Sequence, residues 1–288
     1  MKSQLQVIKA SGESAAFSEV KLRSSLERSG ATEEQIEAVM DKISAKIYDG
    51  ISTKKIYRLA FSLLKGSSAH LAAKYHLKQA IMELGPSGYP FEKYIAEILR
   101  YQGYHTRVGE LVQGHCVQHE VDVIAKTGNK QLMIECKYHN QPGIFCDVKV
   151  PLYIHSRFKD VETAWMKLPQ NENLSYEGWV VTNTRFSTDA IRYGTCAGLK
   201  LIGWDYPAKG SLKEQVDTLG LYPLTCLTSL TKIEKQLLLD KKIVLCQELN
   251  KNTSPLEQLG IKASRIAVVV KEAQDLCKHL TSNSNLIS

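Results

Sequence analysis

The sequence contains no run of about 18 apolar residues, so no helical membrane span is expected. It has no G-x-x-x-x-G-K-[ST] phosphate loop, so ATP hydrolysis by that route is not expected. Met1 to Ala10 mixes Lys2, Gln4, Gln6 and Lys9 among its apolar residues, which is not the pattern of a secretory signal. The seven cysteines are Cys116, Cys136, Cys146, Cys196, Cys226, Cys246 and Cys277, with no C-x-x-C pair among them. An odd, scattered set argues against a disulfide framework and a four-thiolate zinc site, and a reducing cytoplasm is the expected compartment. His119-Glu120 is followed neither by the second histidine of a zincin helix nor by the P-C-x-x-C of a deaminase.

What is present fits a folded chain of several small domains: 288 residues, 43% hydrophobic and 23% charged. A formal net charge of +7 is compatible with a polyanionic partner without requiring one.

Breaker-rich stretches divide the chain into segments 1–85, 86–208 and 209–288. The first opens with a strand over Leu5 to Lys9, a turn at Ser11-Gly12-Glu13 and a return through Ala15 to Phe17. Helical stripes follow: Val20, Leu22 and Leu26; then Ile36, Val39, Met40, Ile43 and Ile47 behind the N-cap Thr32; then Ile56 to Leu64 capped by Ser52 or Thr53; then Leu71 to Leu84. After Gly85-Pro86-Ser87-Gly88-Tyr89-Pro90 the spacing predicts a helix from Phe91 to Tyr101, strands Val117–Ala125 and Gln131–Tyr138, and a helix near Val161–Leu168. The strand Gly178–Asn183, helix Thr188–Cys196 and strand Leu199–Trp204 then imply a right-handed crossover and a parallel pair. Beyond Tyr206-Pro207-Ala208-Lys209-Gly210 the tail reads as helical. One stripe carries Leu230, Ile233, Leu237 and Leu238, and another carries Ile266, Val269, Val270, Ala273 and Leu276. Thr281 to Ser288 is mostly polar and expected to fray.

The chemistry concentrates between His119 and His139. If Gly128 and Asn129 form a two-residue hairpin loop between Thr127 and Lys130, Asp122 falls opposite Glu135 and Glu120 opposite Lys137. Alternation then puts Asp122, Glu135 and Lys137 on one face, with Val121, Val123, Ile134 and Cys136 on the other, toward the core. Directly opposed β-carbons lie about 4.5–5.5 Å apart, so two carboxylates there repel unless a cation sits between them. A hard divalent ion such as Mg²⁺ or Mn²⁺ takes oxygen ligands and acidifies a bound water, which phosphodiester hydrolysis needs. A nearby lysine stabilises the pentavalent charge or helps deprotonate that water. A solvated hairpin face carries such residues too, but Leu132, Met133, Ile134 and Cys136 mark a central strand, where a charged pair needs a reason. Lys149, Arg157 and Lys159 are either groove-lining contacts to a DNA backbone or plain solvated charge. Glu120 reads as an ion-pair partner of Lys137.

The stretch Gly88 to Asp205 resembles the Mrr-type restriction endonucleases of the D…E-x-K superfamily. The resemblance is carried by Gly88-Tyr89-Pro90-Phe91-Glu92-Lys93-Tyr94, Leu99-Arg100-Tyr101-Gln102-Gly103-Tyr104, Glu120-Val121-Asp122-Val123-Ile124, Ile134-Glu135-Cys136-Lys137-Tyr138 and Val180 to Ala190. It implies that Asp122, Glu135 and the backbone carbonyl of Cys136 bind the metal and that Lys137 serves the attacking water. It also implies a further acidic group at Glu92, which otherwise reads as a surface glutamate favoured by its helix dipole.

Met1 to Gly85 resembles the ATP-cone, a small nucleotide-binding module, on Val7-Ile8-Lys9, Gly12, Phe17, Lys21-Leu22, Thr53 and Ala72-Ala73-Lys74-Tyr75. The resemblance implies ATP or dATP as effector, with Val7 on the adenine, Lys9 and Lys21 on the phosphates, and Thr53 at a helix start. Ala10 stands where many members carry a second basic residue. Leu259-Gly260-Ile261 before a helix suggests a hairpin-type DNA-binding unit, and a partner-binding or dimerising helix pair is the alternative.

The expectation is therefore an α/β (α+β multidomain) chain: a mostly helical N-terminal module, a restriction-endonuclease-like mixed sheet flanked by helices, and a helical tail. The expected activity is Mg²⁺-dependent cleavage of double-stranded DNA, regulated by an adenine nucleotide. The rival expectation is a non-catalytic, nucleotide-sensing regulator that uses the nuclease fold to hold DNA.

Overall fold

The computed structural model describes residues 5–168 and 173–277, so the polar stretch Thr281 to Ser288 lies outside the described residues. The N-terminal module starts with β1 (Gln6–Ile8) and β2 (Ser14–Ala16), an antiparallel pair turned at Gly12, where φ is +83°. After α1 (Glu19–Arg28) and α2 (Glu33–Ser44), β3 (Ile51–Ser52) adds to the other side of β1 in parallel, a strand too short for periodicity to announce. Thr32 and Gln35 close a reciprocal capping box on α2. Ser52, rather than Thr53, caps α3 (Thr53–Ser67). The single helix expected over Leu71 to Leu84 is two, α4 (Ala69–Tyr75) and α5 (Leu77–Met82), parted at His76. Val7, Leu26, Ile36, Ile43, Ile51, Ala60 and Leu64 fill this module's core. Val20, expected in the first apolar stripe, faces solvent at 75% exposure.

The central sheet has strand order β10 (Lys200–Ile202), β8 (Ser175–Thr182), β6 (Lys130–Lys137), β5 (Gln118–Thr127), β4 (His105–Gln113). Helix α6 (Tyr89–Tyr101) leads into the antiparallel meander β4 (His105–Gln113), β5 (Gln118–Thr127) and β6 (Lys130–Lys137). After the short β7 (Phe145–Cys146), α7 (Lys149–Trp165) crosses to β8 (Ser175–Thr182), which lies parallel to β6. The bridge β9 (Arg185–Phe186), helix α8 (Thr188–Cys196) and β10 (Lys200–Ile202) follow, and β10 is parallel to β8 as the crossover predicts. The hairpin register is the one expected from the Gly-Asn loop, with Thr127 paired to Lys130 and Val123 to Ile134. β4 was not expected, and α7 begins twelve residues earlier than Val161, the start anticipated for its helix.

Both faces of the sheet are covered. Val123, Ile134, Trp179 and Val181 pack beneath Phe91, Tyr94 and Ile98 of α6. Ile124, Met133, Val180 and Leu201 pack on Ile154, Phe158, Val161 and Trp165 of α7. Each such side chain, fully buried, contributes about 1.5–3 kcal/mol. Val121 departs from the expected alternation: it joins the α7 side although Val123 faces α6. The strand changes facing across Asp122, opposite Gly109, which takes φ +67°.

The tail comprises α9 (Leu212–Leu219), α10 (Lys232–Asp240), α11 (Cys246–Lys251), α12 (Ser254–Gln258) and α13 (Ala263–Cys277). Its apolar residues Val216, Leu224, Leu238, Leu249, Val269 and Leu276 join the core beneath α6, so one apolar core runs through either side of the 206–210 junction. Buried Glu272 on α13 accepts the Thr228 and Ser229 N–H groups and the Ser229 hydroxyl, which satisfies its charge. Ile233 and Leu237, expected inside, are 73% and 43% exposed. No helix among the described residues is long and apolar enough to cross a membrane.

Candidate active site

The β5–β6 ladder ends at Val123 and Ile134, and the site forms where the strands part. There the Cys136 N–H, lacking a strand partner on β5, donates to Asp122 Oδ2 at 2.7 Å. One residue back, Glu135 points to the α7 side and is 5% exposed. A carboxylate that dry needs compensating charge. It has two sources: Lys137 Nζ donates to Oε1 at 2.6 Å, and Arg157 of α7 donates to Oε2 at 2.8 Å. Arg157 also donates to the Glu120 carbonyl and lies 5.5 Å from the Tyr153 ring centroid.

Burial, then the charge of Glu135, pushes the Asp122 carboxyl up to about 6. Burial, then Asp122, Glu120 and Glu135, pushes Glu92, in the first turn of α6, up to about 7. Burial pulls Lys137 down, but the hydrogen bond and charge of Glu135 and the charge of Asp122 outweigh it, so its pKa is raised and it stays an ammonium. The structure thus brings Glu92, Asp122, Glu135 and Lys137 into one electrostatic neighbourhood. Lys137 pairs with Glu135 and not, as expected, with Glu120, which is exposed. Arg157 does not line an open groove: its side chain is 12% exposed and turned to Glu135. Lys159 pairs with Glu162 on its own helix, and Lys149 is exposed.

The chain beyond β6 is tied down by the end of β8. Thr182 Oγ1 donates to the Lys137 carbonyl at 2.7 Å. Asn183, 1% exposed, accepts the His139 N–H at 2.9 Å and donates to the His139 carbonyl at 2.7 Å. Thr184 Oγ1 lies 3.0 Å from His139 Nδ1, and burial, then Lys137, lowers the His139 pKa. Tyr138 donates to the Met82 and Gly85 carbonyls, fixing the strand end to the segment before α6. A cleft of about 360 Å³ opens beside Lys137, Tyr138 and His139 and is lined also by Pro86, Gly88 and Ile144. Sequence reasoning named Arg157 only as a groove-lining or solvated charge, and it gave Thr182, Asn183 and Thr184 no role within the Val180 to Ala190 stretch. Arg157 was readable: it lies three residues after Ile154 and four before Val161, on the buried face of α7.

The described residues hold no group of three or more His, Cys, Asp or Glu side chains placed to bind a metal. The anticipated set is smaller, two carboxylates and the Cys136 carbonyl. It suits a hard divalent ion: oxygen donors only, with the proton affinities of Asp122 and Glu92 raised by burial and then by the neighbouring carboxylates. All seven cysteines are free, and Cys136 is buried.

The nucleotide-binding positions are less convergent. Val7 is 5% exposed inside the module's core, so little of it is left to meet an adenine ring. Lys9 is paired with Glu13 at 2.9 Å. The β1–β3 register, Ile8 to Ser52, sets Lys9 and Thr53 at the same end of the small sheet, while Lys21 is exposed on α1.

Comparison with known proteins gives four findings. Residues 222–277 match the family described as AF1548-like, C-terminal. An uncharacterized protein of Archaeoglobus fulgidus is 34% identical over 184 residues, spanning 62% of this chain and 98% of that protein. The crystal structure of AF1548, a protein of unknown function, is similar at 32% identity and a TM-score of 0.55, covering 67% of this chain and 99% of that chain. The MspJI restriction endonuclease in complex with a 27-mer oligonucleotide aligns over 60% of this chain and 36% of its own at 16% identity and a TM-score of 0.25.

Proposed function

The chain belongs to the AF1548-like family, and from the site around Glu135 we propose that it is a metal-dependent endonuclease that hydrolyses phosphodiester bonds of double-stranded DNA. The observation that carries this reading is a buried glutamate on a central strand, one residue before the N–H that Asp122 accepts and two before a protonated lysine. The order of motifs from Gly88 to Asp205 supports it independently.

In this reading Asp122, Glu135 and the Cys136 carbonyl would hold Mg²⁺ or Mn²⁺. The ion, when bound, supplies charge neutralisation at the phosphate and a more acidic water. Lys137, kept protonated by its neighbours, stabilises the charge that builds on the phosphoryl oxygens; its raised pKa disfavours the role of base. Glu92, pushed to about 7, can hold or release a proton near neutrality. With such an ion on Glu135, Arg157 would lose its carboxylate partner and keep its bond to the Glu120 carbonyl. The test is supercoiled plasmid with Mg²⁺: wild type nicks or linearises it, and Lys137→Ala slows this by about 10²–10³-fold. Equal, intact plasmid in both, across methylated, branched and plain DNA, removes the reading.

One observation favours a second reading. Glu135 is already neutralised by two cations, as in a closed structural network, and a chain of that kind would hold DNA without cutting it. Binding without cleavage in the same assay selects it. For the N-terminal module the proposal is that ATP or dATP binds at the β1–β2 hairpin once Lys9 leaves Glu13.

A further inference from the structure

Between the N-terminal module and the central sheet lies a cleft of about 140 Å³ in which positive charge gathers. Arg28 of α1, Lys74 of α4 and Lys213 of α9 line it, with Asp217 as the lining carboxylate and the Trp204 indole as one wall. Burial, then repulsion from Arg28, lowers the Lys213 pKa, and burial lowers that of Lys74. Cations crowded into a half-dry cleft are the mark of a place suited to an anion.

This cleft does not end blindly. Lys78 and Trp204, whose ammonium and ring lie 5.6 Å apart, also line a second cleft of about 350 Å³, together with Lys9 and Arg185 and the carboxylates Glu13 and Asp205. Ile144 lines that second cleft and also the one beside Lys137. Through these shared walls a cation-rich track with the half-exposed Trp204 leads from α9 to the cleft beside Lys137, with Glu13 and Asp205 as further carboxylates along it. Its parts seat a base or a sugar-phosphate but are too small for a duplex. Positive charge that tracks a backbone, interleaved with an aromatic face, is how single strands are held without reading their sequence.

We propose that the groove from Lys74 and Lys213, past Trp204, to Lys137 binds a single-stranded segment of nucleic acid flanking the scissile bond. The direction toward Lys137 rests on the endonuclease reading; the binding does not. The substrate class becomes DNA with an unpaired arm, and the N-terminal module becomes one wall of the substrate track.

The experiment uses the full chain in EDTA, so that cleavage plays no part. A labelled oligothymidylate and a blunt duplex of the same length are titrated by fluorescence anisotropy at several salt concentrations. The oligothymidylate is expected to bind more tightly than the duplex. Lys74→Glu with Lys213→Glu should weaken it about tenfold and reduce its log–log salt slope by about 0.7 per lost cation, with duplex binding little changed. Lys74→Gln with Lys213→Gln, which avoids reversing charge, should move both in the same direction by less. Trp165 and Trp179 are 6% and 4% exposed, so quenching on binding reports Trp204 and should vanish in Trp204→Phe. Unchanged oligothymidylate affinity in the folded variants overturns the proposal. So does quenching by ATP alone with none by the oligothymidylate, which would mark a mononucleotide pocket. Strand binding with no plasmid cleavage leaves the track and removes the endonuclease; cleavage with unaltered strand binding in the variants does the reverse.

Discussion

Arg157 and Glu135 meet at 2.8 Å across the gap between α7 and β6, with side chains 12% and 6% exposed. This pair joins the helix that covers the sheet to the strand that carries the proposed metal ligand. Removing one partner of a buried pair strands the other. Arg157→Ala should therefore cost about 3–5 kcal/mol in denaturant unfolding. It should also raise Mn²⁺ affinity in titration calorimetry, because one of the two cations competing for Glu135 has gone. Loss of stability with no gain in metal affinity would make the pair purely structural.

The pH dependence has a definite sign. Asp122 and Glu92 have folded-state pKa values of about 6 and about 7, above their ordinary 3.8 and 4.5. Between about pH 4 and pH 7 the folded chain therefore holds protons that the unfolded chain has lost. Stability falls as pH rises through that window. Thermal melts without divalent ions should show this fall, and saturating Mg²⁺ should flatten it by favouring the ionised forms. Asp122→Asn with Glu92→Gln should flatten it without metal.

Much of this site was legible beforehand because its information is local. The Gly128-Asn129 loop set the register, and the register set the neighbourhood of Asp122 and Glu135. What escaped depends on distant partners. β4, an edge strand, alternates without an apolar run, so nothing in its composition separates it from a loop until β5 pairs with it. Val20, Ile233 and Leu237 fit apolar stripes yet face water, because a stripe does not say how wide its covering surface is. Asp122 ends the ladder with its own carboxylate, a tertiary event that strict alternation could not contain.

Asn183 offers a test of that brace. Its side chain satisfies both backbone groups of His139, and truncation leaves them half-buried and without that partner. Asn183→Ala should cost about 1–3 kcal/mol. It should lower kcat for plasmid cleavage more than it raises KM, since the strand end bearing Lys137 loosens. A drop in stability alone, with kcat intact, would confine Asn183 to folding.

At the N-terminal hairpin, Glu13 competes with any phosphate for Lys9. Glu13→Gln should tighten ATP or dATP binding a few-fold by calorimetry, in keeping with the small worth of an exposed ion pair. Heat that is absent in both proteins would remove the nucleotide from the account.

The central claim is that Asp122 and Glu135 share one divalent ion beside Lys137. A crystal grown with Mn²⁺ and measured at an anomalous wavelength tests it most directly. The account predicts a peak bridged by the two carboxylates and the Cys136 carbonyl, with Arg157 displaced from Glu135. Full Mn²⁺ with no peak there, and Glu135 still held by Lys137 and Arg157, would contradict it.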